Sequence, residues 1–173
     1  MTNVRNHPTH ARGAVGWPRV TTALATALAL LALTSTVGAQ ASTPNVTTLP
    51  SDYGFAATVE RLEQAIADEG LTLLTTIDHA ANAENVGLEL APTTVLLFGN
   101  PQVGTPLMQD APTFALDLPQ RMLVWEDEDG AVFVTWRAPT ALAEEHGVPP
   151  DQAPLPNIAA LLEALARTAT GSP

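Results

Sequence analysis

The sequence predicts an α+β domain, a mainly antiparallel sheet with helices packed on one face. Three observations carry that prediction. Residues 59–66 and 157–169 repeat apolar side chains at helical spacing, the runs "LTLLTTI" and "TTVLLF" are apolar and β-branched, and "QRMLVWE" and "AVFVTWR" flank an Asp-Gly turn.

Taken in order, the first twenty residues carry Arg5, Arg12 and Arg19 and no acid, and an uncharged stretch follows from Val20 to Ala39. This is the three-part pattern of a secretory signal over residues 1–41, although the uncharged stretch is also about long enough for an uncleaved anchor. Small residues at Ala39 and Ala41 favour cleavage after Ala41, with the medium or a periplasm as destination. Residues 42–52, "STPNVTTLPSD", are polar and interrupted by proline, which reads as a linker or at most a short edge strand. A single domain is expected over residues 53–169, with a tail at 170–173.

Val59, Leu62, Ala65 and Ile66 share one face of a first helix, and Gly70 stands where a left-handed terminating residue is wanted. Residues 71–77 form a strand whose end delivers "DHAANAENVG". "TTVLLF" shows no alternation, so it is expected to be central and buried on both faces. Both faces of the hairpin at 120–137 are apolar, and the second needs a ligand, a loop or another subunit to cover it. Pro139 opens a short helix that Gly147 closes, and Ile158, Leu161, Leu162 and Leu165 line the last one.

Composition excludes much chemistry. With the leader removed, four arginines face eighteen acids, a net charge near −14, which repels nucleic acid and anionic membrane surfaces. The absence of lysine excludes Schiff-base chemistry and a phosphate-cradling loop lysine, and the absence of cysteine excludes thiolate catalysis, thiolate metal sites and disulfides. Beyond the leader, serine occurs only at Ser42, Ser51 and Ser172, near the ends, which argues against a serine triad. No metal and no cofactor are expected, since no His-x-x-x-His spacing exists and "WEDEDG" places tryptophan where a calcium loop needs acids.

Two places remain for function. Asp78 and His79 sit at a strand end, Asp78 as a helix cap and His79 aimed from a turn. The segment "FGNPQVGTPLMQDAP" packs Gly99, Asn100, Pro101, Gly104, Thr105 and Pro106 behind a buried strand. Prolines and caps there fit a stiff strand-to-helix corner, with Pro101 or Pro106 at a first helical position. The glycines also admit close approach of another molecule, and a helix start offers N–H groups to an anion.

The segments "TVERLEQAIADEGLTLLTTIDHAANAENVGLELAPTTVLLFGNP" and "GTPLMQDAPTFALDLPQRMLVWEDEDG" resemble the domain-of-unknown-function family 302 over about residues 53–168. The resemblance implies a TATA-binding-protein-like arrangement of strand, helix, four strands and helix, and a homodimer. It brings no catalytic residues, so the motif positions carry over only as candidates. The leading expectation is an exported, non-enzymatic module binding a small apolar or weakly anionic ligand, or a partner chain, in a groove near His79 and the FGNP turn. The alternatives are an acid–base enzyme using Asp78 and His79, and a purely structural homodimer.

Overall fold

The computed structural model describes residues 45–173, so the expected leader lies outside the described residues. Val46–Pro50, read as a linker or at most a short edge strand, is the edge strand β1, antiparallel to β5 (Val132–Arg137). Its threonines suit a pleated strand, Leu49 tucks against the core, and Pro50 is tolerated because it ends an edge strand. Folding therefore begins before Tyr53.

Helix α1 (Phe55–Asp68) follows, burying Thr58, Leu62, Ala65 and Ile66. It stops at Gly70, whose φ of +66° lets the Leu71 N–H reach back to the Ile66 carbonyl at 3.1 Å. Strands β2 (Thr72–Asp78), β3 (Thr93–Gly99) and β4 (Gln120–Glu126) complete an all-antiparallel sheet in the order β1-β5-β4-β3-β2. The order strand, helix, four strands, helix agrees with the expected architecture.

One sheet face is closed by α1 and by α5 (Leu155–Thr170), and Leu96, Phe98, Met122, Val124, Val134 and Trp136 are buried there. Helix α5 runs past the expected end: Thr170 is fully buried, so the tail reading at 170–173 is corrected there. Arg61 seals this end, donating to the carbonyls of Thr168 and Ala169 at 2.6 and 3.1 Å while lying 4.1 Å over the Tyr53 ring.

Among the described residues, no such helix layer covers the opposite face. Strand β3 alternates between buried and half-buried residues, contrary to the expectation of burial on both faces. The second hairpin face partly covers itself: Trp125 stacks on Phe133 at 4.7 Å, and its indole N–H donates to Thr135 Oγ1 at 2.9 Å. Asp127 of the hairpin tip is structural, its Oδ1 accepting from the N–H groups of Asp129 and Ala131 at 3.0 and 2.8 Å. Two short helices, α2 (His79–Glu84) and α4 (Pro139–Glu145), follow β2 and β5.

Candidate functional site

The FGNP corner converts β3 into helix α3 (Pro101–Asp110). Asn100 caps that helix by accepting from the Gln102 N–H at 2.9 Å, and Pro101 occupies the first turn, where its missing N–H is not needed. Pro106 lies inside the helix, so the alternative of a helix starting there is corrected. The Val103 and Gly104 N–H groups both reach the Asn100 carbonyl, at 3.0 and 3.1 Å. The donors that sequence reasoning offered to an anion are therefore already used within the turn.

Behind this corner lies a cavity of about 340 Å³, within the range of roughly 300–1,000 Å³ typical of small-molecule sites. Gly99, Asn100, Pro101, Gly104 and Thr105 line it, as do Met108 of α3 and Ile158, Leu161 and Leu162 of α5. A further wall comes from Leu71 and the start of edge strand β2, Thr72 and Leu74, and another from Leu118, Pro119 and Gln120. A bulge between Leu73 and Thr75 frees Leu74 from the ladder, and its side chain is 59% exposed at the rim. Gly104 lets Leu118 approach closely, its Cδ1 standing 3.3 Å from where a Cβ would lie. None of the lining residues is charged; Asn100, Thr105 and Gln120 supply hydrogen-bonding groups and Thr72 a hydroxyl.

The other sequence candidates are elsewhere. Asp78 caps α2, its Oδ1 accepting from the Ala81 N–H at 2.9 Å, and His79 is exposed. In the β2–β3 register Thr72 pairs with Gly99 but Asp78 pairs with Thr94. His79 thus lies at the far end of the strand from the FGNP turn, roughly 20 Å away at the usual strand rise. The expectation of one groove rimmed by both is corrected, and Pro106, Asp78 and His79 are absent from the lining of this cavity.

The histidine that the fold does engage is His146, the residue ending α4, whose side chain is 8% exposed. Its Nε2 lies 2.8 Å from Asp117 Oδ2 and its Nδ1 2.9 Å from Thr113 Oγ1, and the ring packs 4.6 Å from Phe114. A neutral ring satisfies both contacts by donating from Nε2 and accepting at Nδ1. Asp117 Oδ1 also accepts from Arg121 at 3.2 Å and Arg137 at 2.8 Å, and Arg137 reaches Glu145 at 2.6 Å. The hydrogen bond to Glu145, reinforced by its charge and that of Asp117 against some desolvation, raises the Arg137 pKa above the ordinary arginine value. This network ties the 3₁₀ turn Pro112–Leu116 to β4, β5 and α4. The sequence gives no sign that His146 and Asp117 meet, because the partners are 29 residues apart with no motif between them.

No three His, Asp or Glu side chains converge as a metal shell among the described residues.

Comparison with known proteins agrees with this architecture. The crystal structure of an uncharacterized conserved DUF302 protein from Bacillus stearothermophilus superposes with a TM-score of 0.61 at 22% identity, covering 75% of this chain and 98% of that one. At that identity the likeness speaks for the fold. Among curated proteins, fluoride-specific ion channel FluC 1 of Brucella suis biovar 1 (strain 1330) is 45% identical over 101 residues, 58% of this chain and 40% of the relative. FluC 1 of Brucella abortus biovar 1 (strain 9-941) matches at the same identity over 37% of its length. The chain thus spans well under half the length of these relatives. The model of the domain of unknown function DUF302 matches residues 47–167, nearly all of the described chain, and the protein belongs to that family.

Proposed function

We propose that this protein is an exported, non-enzymatic module that holds a small, uncharged, largely apolar molecule in the cavity behind the FGNP corner. The observation that carries the reading is the chemistry of the lining: aliphatic and thioether side chains from α3, α5 and β2, with Asn100, Thr105 and Gln120 positioned to orient one polar end. A weakly anionic ligand is disfavoured there, since the α3 N–H groups are satisfied and no cation lines the wall. The acid–base alternative loses support from Asp78 being engaged as a cap and from His79 standing apart from the cavity.

The Brucella relatives are named as fluoride channels, but the match covers about two fifths of their length, and no helix among the described residues is long and apolar enough to cross a membrane. We assign the shared part to an appended binding module, not to the ion path. The test is calorimetric titration with octanol against wild type and Val103→Trp, a half-exposed rim residue whose enlargement fills the mouth. Saturable binding that the variant abolishes supports the reading; no heat at any accessible octanol concentration, or equal binding by both proteins, overturns it.

Self-association is the second reading, favoured by edge strand β2. The stretch from Leu71 to Ile77 carries no charge, Leu73 and Leu74 on it are exposed, and so are Val86, Leu88 and Leu90 in the connection from α2 to β3. An uncharged open edge is a template for pairing with a second copy. Light scattering on wild type and Thr75→Lys distinguishes a dimer through β2 from a monomer.

A further inference from the structure

The open face of the sheet carries a feature that the apolar cavity does not use. Of the four arginines among the described residues, facing eighteen acids, two occupy neighbouring strands and border one concavity of about 230 Å³. Arg121 on β4, which also donates to the Leu116 carbonyl at 2.8 Å, and Arg137 on β5 have side chains 45% and 40% exposed. Thr135 adds a hydroxyl, Gln120 is shared with the wall of the apolar cavity, and Val95 and Leu123 form an apolar floor.

We propose that this concavity binds a small organic carboxylate, its head group on Arg121 and Arg137 and its apolar body on Val95 and Leu123. The geometry already shows how the pair treats such a group, because both guanidiniums grip one carboxylate oxygen, Asp117 Oδ1, at 3.2 and 2.8 Å. Asp117 is 12% exposed and held from behind by His146, so it fixes the two guanidiniums rather than competing from solution. Glu145 also offsets Arg137, but it is 41% exposed and screened by water. Asp117 and Glu145 together balance the two guanidiniums, so a carboxylate is held there by hydrogen bonds from guanidinium N–H groups and by the apolar floor, not by surplus positive charge. Arg137 stays cationic at every usable pH, its pKa being raised.

The probe is benzoate, with benzamide as its uncharged counterpart, titrated into the purified protein and followed by amide NMR shifts. Benzoate is expected to move β4 and β5 signals around Arg121, Leu123 and Thr135 while benzamide does not. Arg121→Gln is expected to weaken benzoate about tenfold or more, as loss of a charge-assisted hydrogen bond implies, and Glu145→Gln to strengthen it by a small factor. Equal shifts from benzoate and benzamide, an unchanged affinity in Arg121→Gln, or shifts confined to α3 and α5 would each overturn the proposal. The benzoate–benzamide comparison on wild type decides the matter even if Arg121→Gln fails to fold. Octanol binding at the FGNP cavity is read on α3 and α5, so the two sites fail or succeed separately.

Discussion

Replacing His146 by Ala is expected to destabilise the fold far more than any change at the histidine that the sequence singles out. The imidazole is nearly enclosed and makes two hydrogen bonds, one of them to a carboxylate that is itself only 12% exposed. Losing the bond to Asp117 leaves that oxygen short of a partner, about 1.5–3 kcal/mol for a hydrogen bond to a charged group. The contact with Phe114 at 4.6 Å adds about 0.5–1.5 kcal/mol. The two contributions suggest a loss of roughly 2–4 kcal/mol, which for a domain of this size lowers the melting temperature by roughly 10 °C. Asp117 keeps both arginines, so the loss should fall short of complete unfolding. Urea and thermal unfolding followed by far-UV circular dichroism provide the assay. A change below about 0.5 kcal/mol, the range of ordinary surface substitutions, would refute the role assigned to the network.

Further outcomes can be stated briefly. His79→Ala should alter stability by less than about 0.5 kcal/mol and leave octanol affinity unchanged, checked by the same unfolding curves and by calorimetry. Thr58→Val should lose about 1–2 kcal/mol in urea unfolding, because the fully buried hydroxyl bonds the Gly54 carbonyl and Ser51 Oγ at 3.1 and 2.8 Å. Arg61→Ala should fray the end of α5, seen as faster amide exchange at Thr170 and Gly171, since two carbonyls lose their donor. Thr75→Lys should shift any wild-type dimer to monomer in light scattering without lowering the melting temperature at micromolar concentration by more than the dimer's own contribution.

Much of the framework was legible because it follows from local patterning. The stripe through Leu62, Ile66 and their neighbours, the Asp-Gly turn at 129–130 and the stripe of α5 each encode one element within a few residues. Strand β1 was only half legible, because proline and threonine in "VTTLP" suit a linker as well as a short edge strand, and only pairing with β5 decides the matter. The corner at Gly99–Thr105 was legible as a place, since glycine, asparagine and proline announce a special backbone. Its walls were not: Leu71 and Leu74 come from an edge strand, and Ile158, Leu161 and Leu162 from a helix more than fifty residues further on. Placing His79 beside that corner failed for a related reason. Strand composition says that β2 and β3 exist, whereas antiparallel pairing puts the end of one against the start of the other. The Asp117–His146 contact likewise depends on tertiary packing alone.

The most direct measurement is a methyl NMR titration of the protein with octanol, with assigned leucine, valine and methionine signals. Saturable shifts at Leu74, Val103, Met108 and Leu161, with Ala80 and Ala83 beside His79 unmoved in the amide spectrum, are what the cavity behind the FGNP corner predicts. Shifts that grow without saturation across all exposed leucines, or that centre on α2, would contradict it.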